Sequence, residues 1–161
     1  GNEFGQLNEW DFSSALDWNG ADIEPHRQLK WLLRDLNRLY CEQPALYELD
    51  SESDGFEWIR FQNAEAGVLA FMRRACDSSD WLLVAFNFTL TPREHYRIGV
   101  PLLGRYREIL NTDEAIYGGS NLGNLGAVVA SAVACDGLPH SLALTLPSLS
   151  AVVLKVDMAE E

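Results

Sequence analysis

The first eighteen residues interleave carboxylates with aromatic rings. Glu3, Glu9, Asp11 and Asp17 alternate with Phe4, Trp10, Phe12 and Trp18, and the amide of Gln6 lies among them. Flat apolar rings cover the faces of sugar rings, and carboxylates and amides exchange hydrogen bonds with hydroxyls, so the mixture suits a carbohydrate. The same residues also suit a plain loop whose aromatics pin it to a neighbouring core. Composition does not separate the two readings.

Further along, Trp58 and Trp81 are the aromatics to weigh. Trp58 sits between Glu57 and Ile59, so alternation does not decide which face it takes. On a surface it suits contact with a sugar chain; inside, it is packing. Trp81 opens the most apolar run of the chain and is expected in the core. His26, His95 and His140 are far apart and lack metal-ligand spacing. Cys41, Cys76 and Cys135 are widely spaced with no C-x-x-C pattern, so reduced and mostly buried thiols are expected. Gly118-Gly119-Ser120-Asn121-Leu122-Gly123-Asn124 lacks the Lys-Ser/Thr ending and the strand–loop–helix context of a phosphate loop. No cofactor and no metal are expected.

The net charge is −12 over 161 residues. Such a chain repels phosphate backbones and anionic lipid surfaces, which argues against nucleic-acid and membrane partners. A neutral ligand is compatible with it. No apolar run approaches the roughly 18 residues that a membrane helix needs. A cytoplasmic location is expected.

The elements that position these groups fall into two kinds. Residues 1–24 read as a long loop with one helical turn near Ser13 to Leu16. Residues 25–40 read as a helix opened by Pro25, with Leu29, Leu32, Leu33, Leu36, Leu39 and Tyr40 on one face. Pro44 ends the pattern. The helix must pack on the β region C-terminal to it, pack on another copy, or stay partly exposed and open to self-association. Beyond the helix, strands are expected over 56–61, 68–72, 81–88, 96–100, 106–110, 128–134, 141–146 and 150–156, with Gly- and Asn-rich chain over 111–127. About eight short strands without intervening helices make an antiparallel β-sandwich.

Several motifs resemble one family in order along the chain. They are Gly1-Asn2-Glu3-Phe4-Gly5-Gln6, Glu9-Trp10, Leu16-Asp17-Trp18, Arg34-Asp35-Leu36-Asn37 and Gly55-Phe56-Glu57-Trp58. Then come Asn87-Phe88-Thr89, Arg107-Glu108-Ile109-Leu110-Asn111-Thr112-Asp113, Tyr117-Gly118-Gly119-Ser120 and Pro139-His140-Ser141-Leu142. Together they resemble the C-terminal portion of glycogen branching enzymes, of the α-amylase superfamily. The resemblance implies a larger enzyme, with residues 1–44 the last loop and helix of a catalytic (β/α)8 barrel and residues 45–161 an all-β C-terminal domain. It implies an α-glucan substrate and the missing N-terminal barrel as partner. Retaining glycosyl transfer needs two carboxyl groups about 5–5.5 Å apart. The resemblance puts those groups on earlier barrel strands, so this stretch carries no catalytic residue. It further implies that Glu3, Phe4, Gln6 and Trp10 help shape the substrate cleft. A debranching or trehalose-forming relative is the alternative.

Overall fold

The computed structural model describes residues 1–62 and 64–157. Eight strands come after one helix: α1 (His26–Glu42), β1 (Phe56–Arg60), β2 (Val68–Arg74), β3 (Trp81–Asn87), β4 (Arg93–Val100), β5 (Arg105–Asn111), β6 (Ala127–Val129), β7 (His140–Leu146) and β8 (Ser150–Val156). Six of them form one sheet in the order β1-β2-β3-β8-β5-β6, and β4 and β7 form a second. Every pairing is antiparallel. The expected sandwich is therefore present, with one large and one small sheet.

The core divides by strand parity. In β3, Trp81, Leu83 and Ala85 face the small sheet and meet Ile98, Val100, Leu142, Leu144 and Leu146. Leu82 and Val84 face the opposite way and join Leu110 and Val153. This is the period-two rule applied to a strand buried on both faces, which explains why β3 reads as a continuous apolar run. Trp81 is buried, as expected, with its ring 5.7 Å from that of Tyr106.

The second core lies on the outer face of the large sheet, and α1 supplies its cover. Leu36 and Leu39 pack there with Ala45 and Ala75. The helix therefore uses only the C-terminal half of its leucine stripe on the sandwich. Leu32 and Leu33 are half-buried and Tyr40 is half exposed. Polar ties secure the seat. Asp35, 6 % exposed, accepts the Tyr117 hydroxyl at 2.8 Å and pairs with Arg34 and Arg38. Lys155 Nζ donates to Gln43 Oε1 at 2.8 Å and pairs with Asp80 at the same distance.

Three details differ from expectation. The helical turn near Ser13 to Leu16 is instead a side-chain turn: Asp11 accepts the Ser13 N–H at 2.9 Å and its hydroxyl at 2.7 Å. Such local acceptors compete with helix formation. The 3-10 turn lies later, at Gly20–Asp22. The strand expected over 128–134 ends at Val129, because the chain there leaves the large sheet. Ser131 bridges to Ser141 on the small sheet. Finally, Cys41 and Cys76 are exposed and Cys135 is intermediate. Cys41 sits on the outward side of the last helical turn and Cys76 in the turn between β2 and β3, so neither reaches a core.

Candidate functional site

The loop before α1 is fastened at Phe4. Its side chain is fully buried, with the ring 5.7 Å from Trp18. The Phe4 carbonyl accepts from His26 Nδ1 at 2.8 Å, which ties the loop to the first turn of α1. Gly5 comes next with φ +61, and a Cβ there would meet Leu29 at 2.9 Å. Only glycine serves both demands. Gln6 closes the loop on itself: Nε2 donates to the Asn8 carbonyl at 3.2 Å and Oε1 accepts the Asp17 N–H at 3.4 Å.

Beyond that anchor the loop is open. Glu3 is exposed. Trp10 is 79 % exposed and its ring lies 6.3 Å from that of Phe12, itself exposed. Of the four residues expected at a cleft, Phe4 is inside, Gln6 braces the loop, and Glu3 and Trp10 face solvent.

The fifth candidate, Trp58, is remote from these. It lies on β1, the free edge of the large sheet, and is 47 % exposed. Phe56 and Phe71 meet it edge-on, at 4.9 and 5.8 Å, and Phe61 stands 5.6 Å away at 43°. The ring is thus held in a fixed plane, while its outer side stays open. The register of β1 shifts between Trp58 and Arg60, which the sequence does not announce.

Two motifs without an assigned role acquire one. Asp113 accepts Ser120 N–H and Oγ–H at 3.1 and 2.6 Å and Leu122 N–H at 3.1 Å, closing the Gly-rich segment into a fixed loop. Asn111 donates to the Leu122 carbonyl at 2.8 Å from the base of that loop. Asn87 is buried, and its amide gathers the crossing after β3 and the turn between β7 and β8. Both arrangements are structural. Among the described residues no group of three or more His, Cys, Asp or Glu is placed to hold a metal ion, and no helix is long and apolar enough to cross a membrane.

A model of the family described as the alpha amylase C-terminal all-beta domain matches residues 58–157. The chain belongs to that family. The match begins within β1 and runs through β8, so it takes in strands of both sheets and leaves the loop and α1 outside it. The whole chain is also similar to the 1,4-alpha-glucan branching enzyme GlgB of Synechococcus elongatus, at 46 % identity over 161 residues. The enzyme of the same name from Cupriavidus necator is 48 % identical over 158 residues, and that from Aquifex aeolicus 44 % identical over 155. The chain spans 21 %, 21 % and 25 % of the lengths of these three relatives. The similarity to the first of these relatives covers the loop and α1 of this chain as well as its sandwich.

Proposed function

We propose that the chain is the C-terminal part of a glycogen branching enzyme, which moves an α-1,4-glucan segment onto a 6-hydroxyl to make an α-1,6 branch. The observation that carries this reading is the similarity to enzymes of that name over 100 % of the chain, from the loop through β8. Residues 1–44 are then the last loop and helix of the catalytic barrel, and residues 45–161 the accessory sandwich. The α1–sandwich contact through Asp35, Leu36 and Leu39 supports that division, because it gives the sandwich a defined seat against the barrel. The open part of the leucine stripe, around Leu32 and Leu33, faces the rest of the barrel; in the isolated chain it is a self-association surface.

The reaction is retaining, with both catalytic carboxyl groups on earlier barrel strands, so the 161-residue chain is inactive by itself. Glu3 and Trp10, held outward by the buried Phe4 and the bracing Gln6, contribute to the rim of the substrate cleft. Trp58 is an outer contact for the glucan. The enzyme works in the cytoplasm on a neutral polymer, in keeping with the acidic surface.

Amylose incubated with the whole protein and then with a debranching enzyme provides the test. New α-1,6 branches are expected with the whole protein and none with the 161-residue chain. Release of short sugars without new branches would point to a hydrolytic relative instead, and branching by the chain alone would contradict the placement of the catalytic groups.

A further inference from the structure

The N-terminal half of α1 meets both the preceding loop and the sandwich at one place. A cavity of about 310 Å³ is bounded there by Gly5 of the loop, by Pro25, His26, Leu29 and Leu32, and by Tyr117 of the sandwich. Three parts of the chain that are far apart in sequence thus share one junction, and the loop's buried anchor at Phe4 adjoins it.

The sandwich side of the junction is rigid. Tyr117 closes the 3-10 turn Ala115–Tyr117, and its N–H donates to the Glu114 carbonyl at 2.9 Å. Its hydroxyl donates to Asp35 of α1 at 2.8 Å, which fixes the ring. Gly118 comes next at φ +86, and a Cβ there would meet Gln28 Oε1 of α1 at 2.6 Å. The left-handed backbone and the close approach both demand glycine. The turn stands on the loop that Asp113 closes, where the Asn121 N–H donates to the Asp113 carbonyl at 2.7 Å. A preformed turn is therefore set against the first two turns of the helix.

The loop side hangs on one polar contact. Among the described residues, the bond from His26 Nδ1 to the Phe4 carbonyl at 2.8 Å is the one hydrogen bond between residues 1–12 and α1. The N–H groups of Phe4, Gly5 and Gln6 turn back to carbonyls of Gly1 and Asn2, at 3.4, 3.3 and 3.1 Å. Glu3 lies inside that turn and Trp10 beyond it. A turn with a single tether goes where the tether holds it. The route from the sandwich to the exposed Glu3 is therefore short: Tyr117, the start of α1, His26, then Phe4.

We propose that His26 and Tyr117 are positioning residues for glucan entry: the sandwich, acting through Tyr117, sets the start of α1, and His26 passes that placement to the loop that carries Glu3 and Trp10. The glucan cleft rests on the branching reading; the junction stands on its own geometry. A loop held in place before the glucan arrives takes the cost of ordering out of binding. On that reading the catalytic carboxyl groups stand elsewhere in the enzyme, so loss of the tether acts on KM rather than kcat.

The test uses the whole protein, unaltered and as His26→Ala, His26→Asn and Tyr117→Ala. It measures branch formation on amylose, and hydrogen exchange over residues 1–6 by mass spectrometry. His26→Ala is expected to raise KM by roughly fivefold with kcat within about twofold, and to speed exchange over that segment. His26→Asn, whose amide N–H replaces the ring donor, should restore both. Tyr117→Ala should move KM and exchange in the same direction as His26→Ala. An unchanged KM in His26→Ala, a fall in kcat alone, or no recovery in His26→Asn would overturn the proposal; faster exchange beside an unchanged KM would leave the junction a purely structural one. The His26 variants keep the test decisive if Tyr117→Ala fails to fold. An unaltered protein that forms no branches would overturn the branching reading and, with it, the role at a glucan cleft, while the exchange measurement would still decide whether His26 tethers the loop.

Discussion

Replacing Asn87 by leucine lowers the unfolding free energy by about 4 kcal/mol, the largest single loss expected from a polar substitution here. Asn87 is 1 % exposed. Its Nδ2 donates to the carbonyls of Thr91 at 2.9 Å, Leu146 at 3.3 Å and Pro147 at 2.8 Å. Its Oδ1 accepts the Thr89 N–H at 3.0 Å and the Thr89 hydroxyl at 2.7 Å. Leucine fits the volume but satisfies none of these groups. Each orphaned buried partner costs about 1–3 kcal/mol, and the contacts with Leu146 and Pro147 lie in the interior. Thr89→Val removes one donor and should cost only about 1 kcal/mol. Urea unfolding followed by circular dichroism measures both. A loss below about 1 kcal/mol for Asn87→Leu would mean that water replaces the amide and that the crossing after β3 is looser than these bonds imply.

The second large effect concerns the helix seat. Asp35→Ala should cost about 2 kcal/mol, concentrated on α1 and the 3-10 turn Ala115–Tyr117. Arg34 and Arg38 are exposed enough to hydrate, so the cost lies mainly in the Tyr117 hydroxyl and the lost charge-assisted bonds. Tyr117→Phe should cost less, and the double variant less than the sum, because both substitutions break one interaction. The pH dependence comes from the same pair. The bonds from Arg34, then Tyr117, hold the Asp35 carboxyl below its ordinary 3.8. A depressed folded value gives stability that is present above 3.8 and lost as pH falls through the lower folded value. Burial, and then Asp35, push the Tyr117 phenol from 10.0 up to about 12. A raised folded value gives stability that is present below 10.0 and lost as pH rises through about 12. The helix seat is therefore expected to be flat with pH between these limits and to loosen at both ends. A melting temperature for Asp35→Ala that tracks the unaltered protein through the acid limb would contradict this assignment.

Period-two and helical patterns made most of the elements legible. The run at 150–156 coincides with β8, and the leucines at helical spacing mark α1, because burial of one face or both is written directly into residue type. Less was legible where tertiary contact decides. Ser131 leaves its strand to pair with Ser141, and no local signal records that. Glu57-Trp58-Ile59 did not reveal a face because β1 is an edge strand with aromatic neighbours on one side and core on the other. Of the candidate site, the aromatic anchor Trp58 was visible as a residue type. Its surroundings were not, since Phe61 joins it across a register shift and Phe71 comes from the neighbouring strand. Asn87, Asp113 and Asp35 stood inside recognisable motifs, but their partners are carbonyls, N–H groups and a phenol brought up by the fold.

The sandwich and α1 form one unit, from which the preceding loop projects. Amide hydrogen exchange on the 161-residue chain tests this most directly. The α1 amides from Leu33 to Leu39 are expected to be protected together with β3 and β8, while residues 7–12 exchange at near-unfolded rates. Exchange of α1 as fast as that loop, with β3 and β8 still protected, would contradict the claim.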